Sequence, residues 1–201
     1  MTSKAAIEES VPVVGFVGPS GVGKTTLLER LIRALTSQGL AVAAVKHASH
    51  GFLADRPGKD SYRLYESGAS AVTLISREQT ATFARTAPEA DTDVSLARAL
   101  ATLPRGLHLV LAEGFSWEPI PRVVLFHRDQ DPTREHVECG EVIERVCVPS
   151  PRPGKPPEYS EALIESLARL LVKHVARTEG AYTLARDLKP PAAAVYRRPP
   201  Q

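Results

Sequence analysis

Residues Gly18-Pro19-Ser20-Gly21-Val22-Gly23-Lys24-Thr25 form a complete G-x-x-x-x-G-K-[ST] pattern, followed by Thr26. The chemistry is phosphate binding. Glycines let successive backbone N–H groups converge on phosphate oxygens, and a following helix N-terminus adds partial positive charge. Lys24 supplies a point charge for the β- and γ-phosphates, and the Thr25 hydroxyl is a ligand for Mg²⁺. Two other segments carry reactive side chains. Lys46-His47 opens a stretch containing His50, Asp55, Arg56, Pro57, Gly58, Lys59, Asp60 and Ser61. Glu113-Gly114-Phe115 ends an apolar run. A phosphate-transfer site needs a carboxylate near its metal, at the end of a strand beside the phosphate loop. Glu113 is the acid at such a position, and Gly114 permits close backbone approach there. Asp60 is a second candidate for the Mg²⁺ shell, or else a plain helix N-cap.

These groups need a scaffold that brings strand ends together. The run Val11 to Val17 reads as a buried strand, and Leu27, Leu28, Leu31, Ile32 and Leu35 recur at helical spacing with Gly39 as a stop. A strand over Leu40 to Val45 completes a β-α-β unit, which is parallel and right-handed by rule. A short helix is expected over Asp60 to Glu66, stopped at Gly68, then strands at Ala71 to Ile75 and Thr80 to Phe83. Asp91 or Thr92 is placed to cap a helix burying Val94, Ala97, Leu100 and Ala101. Strands are expected at Leu107 to Ala112, Val123 to Phe126 and, more weakly, Val142 to Val148. Five prolines in 149–157 read as a linker, after which Ser160 caps a helix carrying Leu163, Ile164, Leu167, Leu170, Leu171 and Val175. The alternation predicts an α/β fold of P-loop NTPase type, a mostly parallel sheet flanked by helices. Its domain spans 11–180, between a flexible 1–10 and a disordered tail at 181–201. Ligands of such sheets sit beyond the carboxyl ends of the strands, where all three reactive segments fall.

Composition narrows the class. The chain of 201 residues is 43% hydrophobic and 24% charged, ordinary globular material. A net charge of +2 argues against a dedicated nucleic-acid surface. No run approaches a membrane span and the first ten residues hold no apolar signal core, so a cytoplasmic location without a membrane partner is expected. Cys139 and Cys147 lack metal-ligand spacing and read as reduced thiols. His47 and His50 could serve as metal ligands, anion contacts or general bases. Lys46, Arg56, Lys59 and Arg63 suggest contact with a phosphate-bearing ligand or an acidic partner.

The phosphate loop, the Lys46-His47 segment running to Arg56-Pro57-Gly58-Lys59-Asp60-Ser61-Tyr62, and Leu109-Val110-Leu111-Ala112-Glu113-Gly114-Phe115 together resemble the MobB family of molybdopterin-guanine dinucleotide biosynthesis proteins. Pro121-Arg122-Val123-Val124-Leu125-Phe126 is similar to that family's next strand, and the resemblance covers about residues 12–127. It implies a homodimeric GTP-binding adaptor of molybdenum-cofactor assembly, at most a weak GTPase. The implied partner is MobA, which joins GMP from GTP to molybdopterin. GTP and Mg²⁺ are the implied cofactors, with molybdopterin as a further ligand. Lys24 and Glu113 take the catalytic role in this reading, and Lys46, His47, His50 and the Pro57 to Ser61 block face the second ligand or the dimer partner. Two positions depart from the family pattern: Ser49 stands where a histidine is common, and Ser116 where a lysine is. No Asn-Lys-x-Asp or Thr-Lys-x-Asp guanine signature occurs, so GTP over ATP comes from the resemblance. Two other readings remain: an ATP-dependent small-molecule kinase or synthetase like dethiobiotin synthetase, and a metallochaperone GTPase holding nickel or zinc on His47 and His50.

Overall fold

The structure, a computed structural model, describes residues 11–53, 55–85, 95–128, 139–148 and 156–177. These fall into two compact units, one of 11–47 with 95–177 and the other of 48–85.

The first unit is built on a five-stranded sheet. Its strands are β1 (Val13–Val17), β2 (Val42–Lys46), β5 (Leu109–Glu113), β6 (Arg122–His127) and β7 (Val142–Val148). The spatial order is β2-β5-β1-β6-β7, and every pairing is parallel. All five residues of β1 and of β5 are buried, as expected of central parallel strands covered on both faces. Successive side chains point to opposite faces. Val14, Phe16, Leu109, Leu111 and Leu125 pack under helices α1 (Lys24–Thr36) and α4 (Glu161–Arg177). Val13, Val110 and Ala112 pack on the other face with Leu96 and Leu100 of helix α3 (Leu96–Ala101). That alternation puts Glu113, two residues after Leu111, on the α1 side of the sheet.

Helix α1 buries the stripe Leu27, Leu28, Leu31 and Leu35, and Gly39 follows its end with a φ of 84°. Leu40 N–H donates to the Leu35 carbonyl at 3.3 Å, closing the helix through that glycine. Helix α4 starts as the sequence predicts. Ser160 Oγ accepts from Leu163 N–H at 3.2 Å, and Ile164, Leu167 and Leu171 are buried. Removing that cap by Ser160→Ala should lower stability by about 1 kcal/mol. Urea unfolding checks this, with a lower midpoint and an unchanged slope as the expected result.

Helix α3 differs from its expected form. Ser95 caps it, accepting from Arg98 N–H at 3.3 Å, and the buried residues are Leu96 and Leu100. Ala97 is half-buried and Ala101 exposed, because the helix is capped at Ser95, about one turn later than expected, and buries Leu96 and Leu100 instead. Asp91, Thr92 and Val94 lie outside the described residues, as do 149–155 of the expected linker, 1–10 and the tail.

The second unit holds helix α2 (Asp60–Glu66) and an antiparallel hairpin, β3 (Ala71–Ile75) with β4 (Thr80–Ala84). Arg85 joins them. Its guanidinium donates to the Tyr65 carbonyl at 2.6 Å and lies 4.1 Å from the Tyr65 ring centroid. Asp60 does not cap α2, since Lys59 occupies the cap position and makes no side-chain cap bond. As the first helical residue, Asp60 favours the helix dipole instead.

Candidate phosphate and metal site

The loop from Gly18 to Gly23 joins β1 to α1 at the carboxyl end of the sheet. Val22, fully buried, pins its middle, and Val22 N–H donates to the Pro19 carbonyl at 3.3 Å. Gly23 caps α1 at φ 102°, a left-handed conformation that a side chain resists. A Cβ there would meet Pro157 Cγ at 2.3 Å and Tyr159 Oη at 2.6 Å. Tyr159 donates its hydroxyl to the Gly23 carbonyl at 3.1 Å, and burial pushes its phenol up to about 12. It therefore stays a neutral donor across the physiological range. Arg30 of α1 ties the same segment down through the Tyr159 carbonyl and the Glu161 carboxylate. The chain just before α4 thus braces the end of the phosphate loop.

Lys24, first residue of α1, donates to the carbonyls of Gly18 at 2.8 Å and Pro19 at 2.7 Å. Burial lowers its pKa; the Glu113 charge opposes that shift and the Lys46 charge adds to it. Thr25 Oγ1 donates to the Glu113 carboxylate, 3.1 Å from Oε1 and 3.0 Å from Oε2. Lys46 reaches the same place, with Nζ 2.9 Å from Glu113 Oε1 and 3.2 Å from Thr25 Oγ1. The strand register explains the convergence. Lys46 and Glu113 are direct partners across β2 and β5, and Phe16 pairs with Glu113 across β5 and β1. Neighbouring strands lie about 4.8 Å apart, so both side chains project from one face at the strand ends. Glu113 is 8% exposed and Lys46 is open to solvent.

A hard divalent cation takes oxygen donors. The Thr25 hydroxyl and the Glu113 carboxylate fit Mg²⁺, and the Lys46 ammonium between them shows that the pocket suits positive charge. Among the described residues no group of three or more His, Cys, Asp or Glu could hold a metal by protein ligands alone. That suits an ion completed by phosphate and water, the usual state of Mg²⁺.

Beyond Glu113 the chain turns at Gly114, where φ is +89° and a Cβ would lie 3.5 Å from His47 Cβ. The turn brings three rings together. His47 meets Trp117 edge-on, with centroids 4.9 Å apart at 90°, and Phe115 lies 6.0 Å from His47 and 5.8 Å from Trp117. Arg122, fully buried on β6, holds this turn by donating to the carbonyls of Ser116 at 2.8 Å and Glu118 at 2.5 Å. Burial lowers the Arg122 pKa. Glu118 in turn accepts from Leu96 N–H at 2.9 Å.

The structure therefore gathers Lys24, Thr25, Lys46, His47, Glu113 and Gly114 in the first unit. His50, Lys59, Asp60 and Ser61 belong to the second. There Ser61 is buried and donates to the Asp55 carboxylate, which also accepts from Arg56 N–H at 2.6 Å. The Ser61 bond, then the Arg56 N–H, holds the Asp55 carboxyl below its ordinary pKa. Asp60 is almost wholly exposed and pairs with Arg63 at 3.7 Å. Lys59 and His50 are exposed. Spacing alone did not reveal Tyr159, Pro157, Trp117 and Arg122. An arginine opening an apolar strand run and the chain's single tryptophan two residues after Phe115 were the available signals.

The family model for molybdopterin guanine dinucleotide synthesis protein B, MobB, matches residues 13–147, more than half of the chain. The chain belongs to the MobB family. A molybdopterin-guanine dinucleotide biosynthesis adapter protein of Haemophilus influenzae is 38% identical over 145 residues, covering 72% of this chain and 79% of the relative. The Escherichia coli adapter of the same name is 38% identical over 116 residues, 58% of this chain and 66% of the relative. A crystal structure of molybdopterin-guanine biosynthesis protein B superposes with a TM-score of 0.57 at 28% identity, covering 82% of this chain and 99% of that one. A MobB homologue from Bacillus stearothermophilus shares the fold with the same TM-score at 24% identity, over 82% and 98% of the two chains. The MobB match covers the phosphate loop, both reactive strand ends and the turn bearing the three rings. No helix among the described residues is long and apolar enough to cross a membrane.

Proposed function

We propose that this chain is a GTP-binding adaptor of molybdenum-cofactor assembly that assists conversion of molybdopterin to molybdopterin guanine dinucleotide. The observation that carries the reading is the convergence of Thr25, Lys46 and Glu113 beside the phosphate loop, in a chain whose relatives bear the adapter name. Backbone N–H groups from Gly18, Ser20, Gly21, Val22 and Gly23, on a loop shaped by Pro19 and with Thr26 at the helix start, surround the phosphates. Lys24 leaves the Gly18 and Pro19 carbonyls to neutralise the β- and γ-phosphates. Thr25 and Glu113 would hold a Mg²⁺, whose charge would offset that of the phosphates, with Asp60 a further candidate carboxylate. Lys46, paired with Glu113 at 2.9 Å, and His47 after it would contact the second ligand. His50, Lys59 and Ser61 serve the same ligand or the second copy of a homodimer. The working partner is a MobA-type guanylyltransferase, and the setting is cytoplasmic.

Hydrolysis by the chain alone is slow in this account. Cis or trans arginine fingers are worth about 10³–10⁵-fold in related systems, and no arginine reaches the Thr25–Glu113 cluster among the described residues. Steady-state phosphate release, followed against protein concentration, is the test. Turnover far below the roughly 10 s⁻¹ of typical enzymes is expected, rising with concentration if Arg56, Lys59 or Arg63 acts across a dimer. Turnover at about 10 s⁻¹ in the isolated chain would reject the adaptor reading in favour of a small-molecule kinase or synthetase.

A further inference from the structure

We infer that Trp117, with His47 at its edge and Phe115 behind it, is a stacking platform for a flat pterin-type heterocycle, bound beside the metal end of the triphosphate. The inference rests on the proposed function, and it names where the second ligand of that function sits.

Three observations lead there. Trp117 is 41% exposed although its backbone is pinned, whereas Phe115 beneath it is 2% exposed. The turn carrying both rings is held by the buried Arg122 guanidinium and by the Glu118 bond to Leu96, so the part-exposed indole sits on a braced backbone. A preorganised ring costs a ligand little ordering entropy. His47 stands edge-on to the indole at 4.9 Å and 90°, adding a polar ring that can hydrogen-bond to a heterocycle nitrogen.

Position decides which heterocycle. His47 follows Lys46 directly, and Trp117 lies four residues beyond Glu113, at the same strand ends as the cation pocket. The lysine of a phosphate loop reaches the β- and γ-phosphates, so Lys24 and the neighbouring Thr25–Glu113 pair would mark the β,γ end of a loop-bound triphosphate. The nucleoside of that nucleotide lies at the opposite end of the triphosphate. The platform is therefore assigned to what approaches the terminal phosphate, a separate molecule and not the loop nucleotide's own base. A pterin and a guanine share the 2-amino-4-oxopyrimidine ring, so the test must separate them.

Neopterin is the probe, read by its own fluorescence anisotropy and by quenching of Trp117, the single tryptophan of the chain. The full chain should bind neopterin saturably with quenching, and still do so when saturated with Mg·GTP. Trp117→Leu should weaken neopterin about tenfold, within the range for loss of one ring stack, and leave GTP affinity unchanged. Lys24→Ala should do the reverse, losing GTP while keeping neopterin. Absence of neopterin binding, or unchanged affinity in Trp117→Leu, would overturn the inference. Competition between GTP and neopterin would also overturn it, by giving the platform to the guanine base. Failure of GTP binding in the wild-type chain with neopterin binding intact would instead strike the proposed function and leave the platform standing.

Discussion

Lys24→Ala should reduce triphosphate affinity by about 1.5–3 kcal/mol, the usual worth of a hydrogen bond to a charged group, or roughly ten- to 150-fold. The ammonium donates to the Gly18 and Pro19 carbonyls, 2.8 and 2.7 Å away. Burial already disfavours its charge, so bringing a triphosphate to it relieves an existing penalty and the lysine gains from the ligand. The fold should survive. The side chain belongs to neither apolar cluster, and the carbonyls left behind lie on a loop that water can reach. Calorimetric titration with GTP, beside a thermal melt, reads both quantities. Unchanged affinity would place the nucleotide elsewhere.

Glu113→Gln has the second large effect, and its sign depends on the metal. With Mg²⁺ present, loss of the carboxylate should weaken Mg·GTP binding by a comparable factor, about 1.5–3 kcal/mol. Without Mg²⁺, removing a negative charge beside the phosphates lessens repulsion, and it also frees Lys46 from its 2.9 Å ion pair with Glu113. Metal-free GTP should then bind as well as before or slightly better. Damage to the fold would lower both affinities together, so the opposite signs are the diagnostic. Asp60→Asn, on an exposed side chain paired only loosely with Arg63, should show the same pattern more weakly if it reaches the ion through water. The double variant should then fall short of the sum, because one ion is shared. A change in melting temperature with neither affinity altered would confine Asp60 to favouring the α2 dipole.

Much of this was readable from residue order because the relevant signals are local. The phosphate loop, its flanking strand and the Leu27 to Leu35 stripe depend on short spacings, and β1 and α1 formed where those spacings put them. Lys46 and Glu113 were recognisable as strand-end residues, and in the structure each is the last residue of its strand. Their partnership was not readable. It requires β5 to insert between β2 and β1, a long-range pairing that no local pattern encodes. The brace of Pro157 and Tyr159 on Gly23 escaped for the same reason, spanning 136 residues of sequence. The cap of α3 was misplaced through competition between equally suitable residues: Asp91, Thr92 and Ser95 can all cap a helix, and only packing of Leu96 and Leu100 against the sheet selects the last. Asp60 shows the converse, a good capping type set one position inside the helix by Lys59.

The central claim is that a magnesium-bound triphosphate occupies the loop, with the ion on Thr25 and Glu113. Calorimetric titration of the full chain with GTP, with and without Mg²⁺, tests it most directly. The account predicts one nucleotide per chain, bound more tightly with Mg²⁺ than without, and loss of that magnesium increment in Glu113→Gln. Binding that is indifferent to Mg²⁺, or a magnesium increment that persists in Glu113→Gln, would contradict it.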